Sequence, residues 1–156
     1  MPTQTMEPVY RFDDRNITWR PFPGFDGLHY FVLDVDHGRQ LVDMLMRFEP
    51  LAKCIPHRHV GPTRTLVIDG EHRIIEPDAA AATISARRPA GTFSTNNGNE
   101  VHIEGGGADG AVILLSMTAV DGVVYELMDT DLNITRTITL ADFERGLKKQ
   151  AAAAAA

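Results

Sequence analysis

"CIPHRHVGPTRTLVIDGEH", residues 54–72, holds the pattern on which the fold reading turns. His57 and His59 stand two apart, so on a strand both rings leave the same side, with Ile55 beside them and Arg58 opposite. An apolar neighbour on that face points the pair inward. Two buried imidazoles without partners are costly, and one metal ion satisfies both. A bare His-x-His is a weak motif on its own, because two strand histidines can share a face without any ion. Pro56, just ahead of the pair, limits ladder pairing and marks an irregular strand start. Cys54 has the opposite parity to His57 and reads as a structural thiol.

Working outward, the chain is a series of short alternating runs separated by turn residues. "TRTLVIDGEHRIIE" (63–76) is expected to be a hairpin turning at Asp69-Gly70, and "AVILLSMTAVDGVVYELMD" (111–129) a second one turning at Asp121-Gly122. "HYFVLDVD" (29–36) is a strand followed by the turn "HGRQ", and "LVDMLMRFEP" (41–50) sets Met44, Met46 and Phe48 on one face. "AATISARRPAG" (81–91) is a strand ending in a Pro-Ala-Gly turn, and "NEVHIE" (99–104) is another strand. Only "TLADFERGLKK" (139–149) has helical character, with Thr139 and Asp142 spaced as a capping box and Lys148 and Lys149 suited to a helix C-terminus. The class is all-β, a sandwich or barrel. The expected organisation is an N-terminal arm (1–26) with a short strand around Ile17–Trp19, a barrel (27–138), a C-terminal helix (139–150), and an alanine tail (151–156) outside the fold.

The 156 residues suit one domain with a sizeable core. A net charge of −6 argues against nucleic acid or an anionic membrane as partner. Apolar runs such as "AVILL" are too short to span a bilayer, and "MPTQTMEPVYRFDD" has no signal-peptide character. The single cysteine excludes an internal disulfide, and a cytoplasmic location is expected.

The expected third ligand is His102. Glu100 and Glu104 share its face, while Val101 and Ile103 take the other, a pattern that also fits a solvated face. His72, just past the expected turn, is placed outside, and His29 and His37, which flank the first long strand, are read as surface or loop residues.

These residues resemble the cupin superfamily, whose first motif is G(X)5HXH(X)3-4E(X)6G and whose second is G(X)5PXG(X)2H(X)3N. His57, His59 and the closing Gly70 fall at the motif spacing, and Pro89-Ala90-Gly91 supplies the Pro-x-Gly. Leu51 replaces the opening glycine, Thr63 or Arg64 stands at the glutamate position, Ser94 replaces the second-motif histidine, and Gly98 the asparagine. The usual three-histidine-one-glutamate set is therefore not expected. The chain is similar instead to the three-histidine subgroup containing the acetylacetone-cleaving and dihydroxyacetophenone dioxygenases. That subgroup shares a Pro-Phe-Pro arm, His-x-His followed by Gly-Pro, and a late histidine, here His102. Where the subgroup would carry Gly-Glu-Tyr after Gly-Pro, this chain has Thr63-Arg64-Thr65.

The resemblance implies a jelly-roll β-barrel with a short C-terminal helix and a divalent metal held by His57, His59 and His102, Fe(II) first, with Zn, Ni or Mn as alternatives. It implies cleavage by O2 of a C–C bond in a small dicarbonyl or hydroxyketone chelated at the metal. The pocket lining would be Met44, Met46, Phe48 and Phe93, with Arg64 holding an anionic group of the substrate. The alternatives are a non-catalytic zinc-binding cupin sensor or ligand binder, and an isomerase or lyase using the metal as a Lewis acid. An unprotected sheet edge and the Pro-rich arm predict a homodimer or homotetramer.

Overall fold

The computed structural model describes residues 7–78 and 82–156. The chain folds into ten strands, β1 (Arg20–Pro21), β2 (Leu28–Asp36), β3 (Leu41–Phe48), β4 (His57–His59), β5 (Thr63–Ile75), β6 (Ile84–Pro89), β7 (Phe93–Asn96), β8 (Val101–Thr118), β9 (Val123–Met128) and β10 (Ile134–Thr139), followed by one helix, α1 (Leu140–Ala155). All pairings are antiparallel and form one curled sheet in the order β1-β2-β3-β8-β4-β9-β10, with β5 alongside β8 and carrying β6 and β7. This is the expected all-β jelly-roll architecture with a C-terminal helix.

The curl comes from β8. Its C-terminal half pairs with β3, from Leu41↔Thr118 to Phe48↔Ala111, and its N-terminal half pairs with β4 at His57↔His102. β5 follows it on the other side along both halves. Along β8, Ala111, Ile113, Leu115 and Met117 are buried and alternate with less buried residues, the period-two pattern of a strand with one face on a core. With Leu28, Val42, Met44, Phe48 and Val67 they fill the barrel, each large side chain contributing about 1.5–3 kcal/mol by leaving water.

Several local expectations change. Asp69-Gly70 makes no hairpin, because β5 runs straight through it, with register shifts against β8 at Val67/Asp69 and Gly70/His72. Gly70 is at φ +71° and sits in a bulge. "NEVHIE" and "AVILLSMT" likewise fuse into the single 18-residue β8 through the glycines at 105, 106, 107 and 110. The other Asp-Gly pair turns as expected. Val120 and Val123 exchange backbone hydrogen bonds at 2.9 and 3.0 Å across Asp121 (φ +50°) and Gly122 (φ +81°), the two positive angles of a type I′ turn. The strands then diverge, and β4 lies between β8 and β9. The Pro-Ala-Gly turn also forms, with Thr92 N–H donating to Pro89 C=O at 3.1 Å. β7 adds to the expected strands, the arm strand lies at Arg20–Pro21 rather than Ile17–Trp19, and residue 81, the start of the expected "AATISARRPAG" strand, lies outside the described residues.

The capping box of α1 is present. Asp142 N–H donates to Thr139 Oγ1 at 3.3 Å and Thr139 N–H to Asp142 Oδ2 at 2.8 Å. The alanine run, expected to stand outside the fold, extends α1 to Ala155 while staying exposed, as alanine's helix propensity favours. Lys148 and Lys149 are therefore mid-helix rather than at its end, and Lys148 pairs with Glu144 at 3.6 Å. The helix is fixed to β2 by Gln150. Its amide accepts from Val32 N–H at 3.0 Å and donates to Val32 C=O at 2.8 Å, beside the register shift between Val32 and Asp34. Gln150→Ala leaves both backbone groups buried and unpaired, so an unfolding free energy lower by about 2–3 kcal/mol is expected in urea titration. An unchanged midpoint would show that the helix is not anchored there.

Candidate metal centre

Four buried side chains converge where β4 crosses β8. His57 and His59 come from β4, and His102 and Glu104 from β8, with one ligand atom from each within 4.8 Å of all the others. The i, i+2 spacing on each strand turns each pair to one face, and the His57↔His102 register brings the two pairs opposite one another. Glu104 Oε2 lies 3.0 Å from His57 Nε2, 3.5 Å from His59 Nε2 and 3.8 Å from His102 Nε2. The other carboxylate oxygen, Oε1, is 2.9 Å from Nε2 of His72, which is fully buried on β5.

The expected ligands His57, His59 and His102 are thus brought together. Two further residues join them. Glu104, outside the expected ligand set, brings the carboxylate absent at Thr63, from the opposite strand. Its signal was the i+2 spacing from His102. His72, expected outside past a turn at Asp69-Gly70, is buried because no turn forms there. With β5 continuous, Thr63, Thr65 and Val67 point inward, the bulge resets the alternation, and His72 also faces in, its ring 6.1 Å from that of Phe48.

The same alternation sends Arg64 outward. It is exposed and lies over the Phe93 ring at 5.9 Å, and Phe93 is itself 58% exposed. Neither lines the interior, so the expected roles of Arg64 as anion anchor and of Phe93 as pocket wall do not fit their positions. Met44 and Met46 do face the cluster. His29 and His37 sit apart from the site and pair with Glu49 and Glu144 at 3.0 Å each.

The donor chemistry fits a divalent cation. Imidazole and carboxylate are ligands for Zn, Fe, Ni or Mn. His102 Nε2 is buried without a hydrogen-bond partner, an orphan that a metal would satisfy. Supporting contacts hold the set. His57 Nδ1 lies 3.0 Å from Ile55 C=O and 3.4 Å from Cys54 Sγ, and Glu104 N–H donates to Cys54 Sγ at 3.2 Å. Cys54 therefore touches the site itself, and His72 fixes the outer carboxylate oxygen.

Without metal the cluster is electrostatically coupled. Burial alone would raise the Glu104 carboxyl, but the imidazoles of His102, His57, His59 and His72 outweigh it and hold the group well below the usual carboxylate range. Burial lowers His59, and the neighbouring His57 and His102 add to this. For His57, burial pulls down but Cys54 and Glu104 together lift it well above an ordinary histidine. Depressed folded-state values mean that the unfolded chain takes up protons first on acidification. The His59 contribution is then lost below about pH 6.5 and that of Glu104 below about pH 4.5, while the His57 contribution is already complete below 6.5. With the His57 contribution complete, the metal-free protein is expected to lose stability as the pH falls from about 6 to about 3. A constant urea midpoint over that range would contradict this coupling.

A family model, the ChrR Cupin-like domain, matches residues 9–121. The chain belongs to this cupin family. Solved cupin structures align over most of it: an acetylacetone dioxygenase from Acinetobacter johnsonii at TM-score 0.70 and 14% identity, covering 94% of both chains, and an RmlC-like cupin protein from Ralstonia eutropha JMP134 at TM-score 0.72 and 14% identity, covering 94% of this chain and 88% of that one. A structure of Rhodobacter sphaeroides SigE in complex with the anti-sigma ChrR aligns at TM-score 0.52 and 19% identity, covering 66% of this chain and 49% of that one. Identities this low establish the cupin fold alone. No curated protein matches the sequence.

Beside the cluster this cupin has a small, mainly apolar cavity of ≈ 30 Å³, lined by His57, His59, Glu104 and Tyr125 among Phe22, Phe25, Met44, Met46 and Leu127. The Tyr125 ring lies 6.2 Å from that of His57 and 5.9 Å from that of His59, and burial pushes its phenol well up, so it stays a neutral hydrogen-bond donor. Among the described residues no helix is long and apolar enough to cross a membrane.

Proposed function

We propose that this cupin is a metal-dependent dioxygenase, with Fe(II) as its metal, that cleaves a C–C bond of a small dicarbonyl or hydroxyketone. The observation that carries the reading is the buried set of His57, His59, His102 and Glu104 opening on an apolar cavity. The similarity to an acetylacetone dioxygenase fold supports the choice of substrate class.

A bound divalent metal would supply Lewis acidity toward the enol oxygens of the substrate and, as iron, electrons toward O2. The side chains do the rest. Glu104, oriented by His72, would offset one unit of the metal's charge. Phe22, Phe25, Met44 and Met46 keep the approach apolar, which strengthens every polar interaction inside it. The neutral Tyr125 phenol faces the same cavity and can donate a hydrogen bond to a substrate oxygen.

The balance is one O2 consumed per diketone cleaved, with both oxygen atoms retained in the two fragments. The test is metal analysis of protein purified without chelators, followed by O2 uptake with acetylacetone after Fe(II) loading. Uptake matching product formation supports the reading. Iron-loaded protein that consumes no O2 with any 1,3-diketone or hydroxyketone would reject it.

A second reading has its own observation. Four protein donors can close a tetrahedral zinc shell and leave no site for substrate, as in structural zinc centres. On that reading the protein is a zinc-binding sensor or ligand binder, and tightly held zinc that iron does not displace would favour it. A homo-oligomer is proposed for either reading, and light scattering checks it.

A further inference from the structure

The cavity at the cluster has room for about one water molecule, so no diketone fits while Phe22 and Phe25 stay in place. These two rings are the ends of "FPGF" (22–25), a tight turn in which Phe25 N–H donates to Phe22 C=O at 3.2 Å and Gly24 takes φ +83°. Their centroids lie 5.3 Å apart, edge to face. On the far side of them is a second cavity of ≈ 320 Å³, between the arm, β2, β9, β10 and α1. Phe22, Phe25, Tyr125 and Leu127 line both cavities and form the partition between them.

The outer cavity is cationic in a protein of net charge −6. Arg20, Arg136, Arg145 and Lys149 line it against a single carboxylate, Asp142. Asp142 is already engaged by Arg145 and by the Thr139 cap. Arg20, Arg136 and Lys149 have no ion pair among the described residues, so three cations face this space uncompensated. A concentration of one sign at a cleft mouth attracts the opposite charge. Its size suits a small ligand.

We propose that this mouth selects a small substrate bearing a carboxylate. The carboxylate rests on Arg20 and Arg136, and the oxygen-chelating end displaces Phe22 and Phe25 to reach the histidine–glutamate cluster. The inference rests on the dioxygenase reading for what happens at the cluster, but not for what binds at the mouth. Planar guanidiniums match a carboxylate in two-point fashion. The Asp142 charge within the same lining penalises a phosphate dianion more than a monoanion.

The test is calorimetry on zinc-loaded protein, which is redox-inert, with 4,6-dioxoheptanoate and its methyl ester, two 1,3-diketones that differ in the charge of the tail and by one methyl group. The acid is expected to bind roughly tenfold tighter than the ester. The double variant Arg20→Gln, Arg136→Gln is expected to bring the two within about twofold while leaving the ester's affinity unchanged. Phe22→Ala is expected to strengthen both ligands equally. Equal binding of acid and ester, an advantage that survives in the double variant, no binding of either, or weaker binding of both to Phe22→Ala would overturn the proposal, as would displacement of the acid by an equal concentration of inorganic phosphate. Failure of the dioxygenase reading appears elsewhere, as absent O2 uptake with the ester on iron-loaded protein. If zinc is not retained, the same titrations on metal-free protein still read the charge preference of the mouth.

Discussion

Alanine in place of His57, His59 or His102, or Glu104→Gln, is expected to lower divalent-metal affinity by roughly a thousandfold. Metal binding at sites of this kind releases on the order of 10 kcal/mol or more shared among four donors, so each carries several kcal/mol. The four side chains are buried, with one ligand atom from each within 4.8 Å of the others. His72 sits one step back, because its Nε2 is committed to Glu104 Oε1 at 2.9 Å. His72→Leu should cost roughly tenfold, the scale of a lost contact behind a ligand, and His72→Gln, which can still donate to the carboxylate, should recover part of it. Metal content after dialysis and competition with a chromophoric chelator read all of these variants. Full retention in His102→Ala would remove it from the ligand set. A His72→Leu loss as large as that of the four would make His72 a fifth donor.

The largest effect on stability is expected at Gly70. At φ +71° a side chain is strained whatever the space around it, and there is no space. A Cβ at Gly70 would stand 2.2 Å from Gly110 C=O and 2.8 Å from its carbon. Gly110 faces the same crowding from the other side, with a Cβ position 2.4 Å from Phe48 C=O. Gly70 lets β5 close on β8 backbone to backbone where the barrel curls, and Gly110 lets β8 close in the same way on the end of β3. Gly70→Ala should therefore lower the unfolding free energy by about 3 kcal/mol or more, and the melting temperature by roughly 10 °C. Gly91→Ala separates the two causes. Gly91 has φ +88° but nothing within 4 Å of its Cβ position, so only the conformational cost of about 1 kcal/mol remains. Equal melting temperatures for the two variants would show that the close approach of β5 and β8 contributes nothing.

Much of the site was legible because strand parity is a local property. His57 with His59, and His102 with Glu104, each needed only the i, i+2 rule to share a face. The same rule already set Thr63 and Thr65 against Arg64, and applied strictly it would have kept Arg64 out of the pocket. The turn at Asp121-Gly122 and the Thr139–Asp142 cap were equally local, since their partners lie within three residues in sequence.

What the sequence by itself determined, then, is the alternation, the turns with closed local hydrogen bonding, and the cupin spacing of His57, His59 and Gly70. Whether the face of His102 and Glu104 meets water or a core was decided by pairing with β4, 45 residues away at His57↔His102. Asp69-Gly70 carries the same signature as Asp121-Gly122, because a type I′ turn and a bulge both need a glycine at positive φ. Only the presence of β8 alongside β5 on both sides of that glycine made it a bulge. That choice carried His72 inward, where it could hold Glu104. Such an outcome depends on non-local backbone pairing, which no window of the chain contains.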